Sequence, residues 1–514
     1  MSVLPLLPIL SGFLIGTSYI PFPPWASLFC FVPLWIYWND CRTFRQVFVG
    51  GWMTGFVLAL VGFNWVAYTL HEFADLSWFL SVLGLLLYAA ISQLYIPLAG
   101  VAWFWLRQRI PSTAVRGVIV MAILTALGER YSLTLFDWNF GYSWYGSGLA
   151  FYQLAELVGF SGLGTITILF NLPFYFAWRH RGQHKAIVWL VSGLVFFAGL
   201  NLCGSLLEKR IQEPDSSLNV LLVQGNIGNA EKTAAELGTG FRDEIILKYF
   251  NLTDQGLSEH QAPDLVVWPE AAFPAFIDQY YGTPHQFGAL QGFIRQRKIS
   301  LVTGGFGVDH AQHKITNSLF ALDSGGTLMD PHYSKTILLA FGEYVPGLDW
   351  FPFLNEWLPP IGEYARGSGP TILLPLNGYR IGPQICYESL FPEFTRGLAN
   401  LGAQFIINVT NDSWYGPWQE PYQHLLMTMA RAVEFRRPVI RSTNTGISTV
   451  ALASGEILER SPLGREWTGW YRIPFMKNPL PTFYQKWFSL VPSILWVVLS
   501  MHAVSGAYSL QRKR

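Results

Sequence analysis

Seven apolar runs crowd the first 204 residues of this chain: Val3 to Ile20, Pro24 to Trp38, Val47 to Leu70, Trp78 to Leu106, Val115 to Tyr131, Leu149 to Trp178 and Ala186 to Cys203. An eighth covers Trp487 to Tyr508. A helix crosses a bilayer in about 20 apolar residues, because in lipid its backbone polar groups can be satisfied only within the segment. The second run is short and the fourth and sixth are long, but a succession of this kind constrains the chain to a multi-pass helical membrane domain of about eight spans. Composition agrees, with 51% hydrophobic and 13% charged residues against roughly 25% charged in a soluble domain.

Basic residues stay on the cytoplasmic side of a membrane, so short loops give an orientation. Arg42 and Arg45 follow the second run, Arg107, Arg109 and Arg116 the fourth, and Arg179, Arg181 and Lys185 the sixth, whereas Glu72 and Asp75 follow the third. The pattern predicts an internal N-terminus, seven crossings, an outer domain from about residue 205, and a last span ending in the basic tail Arg512, Lys513 and Arg514. The boundaries expected are 1–204 for the membrane domain, 205–480 for the outer domain and 481–514 for the final span with its tail. The first run lacks the basic flank and small-residue cleavage site of a removable signal and is read as retained. A formal net charge of +1 does not point to a nucleic-acid partner.

From Leu218 the texture changes. Asn219 to Val223, Leu265 to Trp268, Ile299 to Thr303, Arg380 to Ile385 and Phe405 to Val409 are continuous apolar runs, as strands buried on both faces should be. Amphipathic stretches such as Gly240 to Leu252, Gln286 to Arg297 and Tyr422 to Arg436 alternate with them. Two hairpins are expected, one turning at Asp323 to Gly326 and one at Ser454-Gly455. This alternation predicts an α/β domain.

Cys386 is the only cysteine of this domain; Cys30, Cys41 and Cys203 lie in or beside apolar runs, so no disulfide framework is implied. A lone strand-end cysteine is either inert packing or a working thiol. Reacting groups gather where the strands of an α/β sheet end, and Glu270 and Lys335 occupy similar positions. Together they offer a general base (Glu270), an oxyanion stabiliser that also favours the thiolate (Lys335) and a nucleophile (Cys386). Singly, the two charges would be solvated surface groups. Glu343 either pairs with Lys335 or acts directly, and Glu388 either accepts backbone hydrogen bonds behind Cys386 or moves a proton. Glu129 and Glu156, within or near the spans, are expected to face the bundle interior. His310 and His313 lack further ligands in a recognisable motif, and no metal is expected. Trp350, Phe351, Phe353 and Trp357 could form an apolar arm that dips into the outer leaflet.

The segments Trp268-Pro269-Glu270, Tyr333-Ser334-Lys335 and Cys386-Tyr387-Glu388 resemble the Glu-Lys-Cys signature of the nitrilase, or carbon-nitrogen hydrolase, superfamily. Val223 to Ile227, Phe341 to Pro346, Asn411 to Gly416, Arg431 to Glu434 with Arg437-Pro438, and Asn444 to Ser448 extend the match. With Gln153, Glu156 and Gly159 in the sixth run, nearly the whole chain is similar to the apolipoprotein N-acyltransferase family, the membrane branch of that superfamily. The resemblance implies an α-β-β-α sandwich held on the periplasmic face of the bacterial inner membrane. It further implies a phospholipid acyl donor, usually phosphatidylethanolamine, a thioester on Cys386, and a diacylated apolipoprotein as acceptor. Glu343 would be the second carboxylate, with Tyr387 and Glu388 shaping the loop; no cofactor is implied and a monomer is expected. Many relatives carry a proline where this chain has Gly228, a tryptophan near Thr233, and another proline at Ala340. These departures bear on the lid rather than on the triad. The competing readings are a membrane-tethered amidase using the same three residues and a transporter whose outer domain binds ligand.

Overall fold

The computed structural model describes residues 6–110, 113–132, 136, 138–236, 238, 240–277, 284–339, 343–344 and 364–511. Ala340 and the aromatic segment from Trp350 to Trp357 lie outside the described residues. The chain divides into two compact units, Met1–Arg210 with Thr482–Arg514, and Ile211–Pro481.

In the first unit four described helical stretches are long and apolar enough to cross a membrane: Phe44–Gly62, Trp78–Arg109, Ala150–Arg179 and His184–Glu208. Ala114–Tyr131 is a further helix, and Leu7–Gly16 and Leu490–Ser505 are shorter apolar ones. The first apolar run gives a short helix because Thr17 and Ser18 turn their hydroxyls back onto the Phe13 and Leu14 carbonyls (2.8 and 2.7 Å). Pro21, Pro23 and Pro24 follow, each without the N–H a helix needs. His184–Glu208 buries only Gly193 and Gly204. It leaves Ile187, Val191, Leu194, Val195 and Phe196 exposed on the polypeptide, the surface a lipid-facing helix presents.

The second unit stacks two sheets. The larger consists of β1 (Ser216–Gln224), β2 (Leu265–Val267), β3 (Phe273–Phe276), β4 (Leu301–Asp309), β5 (Lys314–Leu322), β6 (Tyr333–Ser334) and, later in the chain, β12 (Trp467–Phe475). Its order is β12-β1-β2-β4-β5-β6, with β3 also on β4. The smaller consists of β7 (Leu374–Leu376), β8 (Tyr379–Ile385), β9 (Phe405–Thr410), β10 (Val439–Thr443) and β11 (Thr449–Ala451), in the order β11-β10-β9-β8-β7. The central pairs β1–β2, β2–β4, β8–β9 and β9–β10 are parallel, which is why their sequences read as unbroken apolar runs. At one edge β1 and β12 run antiparallel, from Ser216 opposite Phe475 to Gln224 opposite Trp467.

Helices Arg242–Glu259 and Pro284–Arg297 cover the larger sheet through Ile245, Ile246, Tyr249, Leu290 and Ile294, which pack with Leu221, Val266 and Leu301. Helices Pro392–Asn400 and Glu420–Phe435 pack on the smaller sheet. The inner faces meet directly. Ser442 on β10 donates to the carbonyls of Val223 and Val267 (3.4 and 3.3 Å), and Thr443 to the Gln224 side chain (3.1 Å). The layers are therefore helix, sheet, sheet, helix. The longest hairpin, β4 to β5, places His310 and His313 at its turn. Sequence reading missed it, because both strands are buried along most of their length and carry no polar alternation, and it also missed the short antiparallel hairpin of β7 and β8.

Candidate active site

Three strand ends converge on one buried cluster. Glu270 follows β2 by three residues, and Gly304 on β4 is what allows that turn to lie against the sheet: a Cβ there would sit 2.6 Å from the Ala271 nitrogen. Lys335 follows β6, with its backbone N–H on the Asn317 carbonyl of β5 (2.8 Å). Cys386 ends β8 and opens a single helical turn, Cys386–Leu390. It adopts φ 52°, a left-handed conformation that costs a non-glycine residue on the order of 1–3 kcal/mol and persists only where the surroundings impose it.

The Lys335 ammonium lies 3.1 Å from Glu270 Oε1 and 2.9 Å from the Glu343 carboxylate. Asn317 Nδ2 bridges the same two carboxylates, at 2.8 Å to Glu270 and 3.0 Å to Glu343. The second Glu270 oxygen accepts the Asn411 backbone N–H (2.9 Å), which reaches across from the end of β9. Glu343 Oε2 accepts from the Leu339 N–H (2.9 Å). Lys335 is 2% exposed and Glu270 7%, so these charges act on one another with little screening from water.

The electrostatics follow from that burial. For Glu270 burial pushes the carboxyl up, but Lys335, Lys232 and the Asn317 hydrogen bond outweigh it and hold the group below the usual carboxylate range. Burial pulls Lys335 down, and Glu270 and Glu343 more than reverse this, leaving the ammonium firmly charged. The thiol goes the other way. Burial and then the Glu270 charge push Cys386 above its ordinary value, and Lys335 and a hydrogen bond with Thr410 only partly oppose them. The effect of lysine alone would have been a depressed thiol; the net direction is upward, because a thiolate here faces both desolvation and a carboxylate. At rest Cys386 is held as the protonated thiol.

Glu388 accepts four hydrogen bonds, from the Tyr333 hydroxyl (2.5 Å) and from the backbone N–H groups of Thr336 (2.7 Å), Ile337 (3.2 Å) and Ile385 (2.8 Å). It ties the strand that delivers Cys386 to the segment that delivers Lys335. Burial pushes its carboxyl up to about 7, opposed first by Tyr333 and then by the backbone donors. Tyr387 is half-buried and packs edge-on against Phe391.

Sequence reasoning did not single out Asn317 or Lys232. Lys232 lies on helix Asn229–Glu236, is buried, and donates to the Glu270 carbonyl (3.0 Å). Its neighbour Thr233 is exposed. A lysine in a short polar helix gives no signal of burial; the hint lay only in its distance from the Gln224-Gly225-Asn226-Ile227 segment.

Residues 221–473 match the carbon-nitrogen hydrolase family model, and residues 11–173 match that of the apolipoprotein N-acyltransferase N-terminal domain. An apolipoprotein N-acyltransferase of Bdellovibrio bacteriovorus is 42% identical over 98% of this chain and 94% of its own length. That of Azotobacter vinelandii is 32% identical over 89% and 86%. The chain belongs to the apolipoprotein N-acyltransferase family. Among solved structures, a nitrilase-superfamily member from Saccharomyces cerevisiae is 20% identical over 51% of this chain and 91% of its own, with a TM-score of 0.38. Membership makes the second unit a nitrilase-like carbon-nitrogen hydrolase domain and the whole an acyltransferase of lipoprotein maturation, a membrane protein with a lipid donor and a lipoprotein acceptor.

Proposed function

We propose that the enzyme carries a fatty acyl chain from a membrane phospholipid to the α-amine of a diacylglyceryl-cysteine through a thioester on Cys386. The observation that carries this reading is the buried Glu270–Lys335–Glu343 cluster acting on a protonated thiol. Because the thiol is held high and Glu270 low, proton transfer is uphill at rest and proceeds as the carbon–sulfur bond forms. Cys386 Sγ attacks the ester carbonyl, its proton passes to Glu270, and Lys335 balances the oxyanion. Collapse breaks the carbon–oxygen bond, and lysophospholipid leaves with the proton from Glu270. In the second half the amine attacks the thioester, Glu270 takes the amine proton, and the thiolate departs and is reprotonated as the amide forms.

Glu343 keeps Lys335 oriented when Glu270 is neutralised by the proton it has accepted. Tyr387 and Glu388 hold the loop beside the thiol. We place about eight spans in the membrane with the catalytic unit on the periplasmic side of the inner membrane, on the strength of the basic loop pattern and the long apolar helices.

The test is intact mass spectrometry of the enzyme incubated with phosphatidylethanolamine. One fatty acyl adduct is expected, removed by neutral hydroxylamine, missing in Cys386→Ala, and discharged rapidly by a diacylated lipopeptide to give an N-acylated peptide. An adduct that persists in Cys386→Ala defeats the mechanism. Free fatty acid released at the same rate with and without lipopeptide would make the domain a hydrolase.

A further inference from the structure

A second network of polar side chains, none of it used in the steps above, closes on Cys386 from within the smaller sheet. Arg441 on β10 is fully buried. Its Nη1 donates to Asn408 Oδ1 on β9 (3.0 Å), and Asn408 Nδ2 donates to the Cys386 carbonyl (3.3 Å). The same Nη1 donates to Thr428 Oγ1 (3.1 Å); the Thr428 and Ser389 hydroxyls lie 2.7 Å apart, and Ser389 Oγ donates to the same Cys386 carbonyl (3.0 Å). Donor direction is consistent along both chains, from guanidinium through amide or hydroxyls to carbonyl, so each bond polarises the next. Asn408, Thr428 and Ser389 are fully buried as well.

The guanidinium is itself held. Nη2 donates to Asp412 Oδ2 (2.6 Å), whose other oxygen accepts from Thr410 (3.2 Å) and sits 3.1 Å from His424 Nδ1. No side chain fits between these groups and the loop after β10: a Cβ on Gly446 would lie 2.0 Å from Asp412 Oδ2.

We propose that Arg441 is a positioning residue for the nucleophile, fixing the Cys386 carbonyl through two separate hydrogen-bond chains and so holding the left-handed turn that aims the thiol. The proposal rests on the reading of Cys386 as nucleophile. Two chains ending on one atom supply what a strained non-glycine residue requires, a backbone determined by more than its own preferences. A nucleophile misplaced by about 1 Å loses on the order of a hundredfold in rate.

The two chains make the test a comparison of double variants in the full-length enzyme in detergent. Single-turnover acylation by phosphatidylethanolamine in mixed micelles is measured beside iodoacetamide alkylation of Cys386 across pH and the thermal midpoint. Thr428→Val combined with Ser389→Ala breaks one chain twice and should acylate no slower than the worse single variant. Thr428→Val combined with Asn408→Ala breaks both chains and should lose about a hundredfold, as should Arg441→Lys, while the alkylation pH profile stays that of the wild type. Equal losses in the two double variants overturn the proposal. So does an acylation loss that tracks the thermal midpoint and the alkylation profile, which marks a merely structural network. Acyl adduct persisting in Cys386→Ala would instead remove the reading beneath it.

Discussion

Two buried cation–carboxylate clusters converge on the same cysteine, and they are built from different halves of the sandwich. Glu270, Lys335 and Asn317 come from the larger sheet, with Glu343 beyond it, and only the Asn411 N–H crosses from the smaller one. Arg441, Asn408, Asp412, Thr428 and His424 all belong to the smaller sheet and its helix. The first cluster shares one lysine between two carboxylates, so one of them can lose its charge while the lysine keeps a partner. The second pairs its arginine with a single carboxylate through Nη2 and turns Nη1 onto neutral groups. Buried charges can be arranged either to let a proton move or to stop a backbone from moving, and the partner count distinguishes the two.

The largest effect that would sharpen this contrast is on turnover. Glu270→Gln and Lys335→Ala should each reduce acyl transfer by about a thousandfold, and Glu270→Gln, which leaves Lys335 its Glu343 partner, should keep the thermal midpoint within a few degrees of the wild type, read by lipopeptide acylation and by unfolding in detergent. Near-normal rates in either variant would break the assignment of chemistry to the first cluster.

Asp412→Asn should do the reverse in kind. Removing one partner of a fully buried pair costs about 3–5 kcal/mol, which for a domain of this size is a fall of about 10 °C in midpoint. Arg441 holds Asp412 far below the usual carboxylate range against the opposing push of burial. The pair therefore stabilises the fold above the unfolded carboxylate pKa and is lost only as pH falls well beneath it, so the variant should show a flatter midpoint-versus-pH curve on the acid side. A steeper one would contradict the pairing.

Glu343→Gln should cost roughly tenfold in turnover, about 1.4 kcal/mol, since Lys335 retains Glu270. A loss as large as that of Glu270→Gln would mean that the two carboxylates are not divided between base and orienting partner.

The smallest effect is a pH slope. Glu388, facing Tyr333 and Lys335, keeps its proton in the folded state up to about 7 and releases it near the ordinary value when unfolded. Its contribution is thus full at low pH and lost as pH rises through about 7. Glu388→Gln should remove that decline, on the order of 5 °C, in midpoints measured between pH 4.5 and 8.

The convergence of Glu270, Lys335 and Cys386 was legible because each member carries its chemistry in its type and sits beside a strand whose apolar run is plain in the sequence. Parallel central strands were legible for the same reason. Asn317 and Arg441 were not, since what matters about them is register: Asn317 lies one strand from Lys335, and Arg441 stands opposite Asn408 across β9 and β10. Neither pairing can be read from residues that are 18 or more positions apart in the chain. Glu388 was half legible. Its place after Cys386 was evident, but three of the four donors that make it a brace come from a separate segment, Tyr333 to Ile337.

The antiparallel pairing of β1 with β12 has a further meaning for how such a chain came to exist. The unit begins and ends on neighbouring strands, with the Lys477 N–H on the Asp215 carboxylate at 2.8 Å, so its two ends emerge side by side. A domain whose ends adjoin can be lodged in the connection between two helices without prising them apart. It can also be lifted out: a gene truncated to Ile211–Pro481 would encode a piece whose loose ends already meet, ready to be grafted onto another anchor.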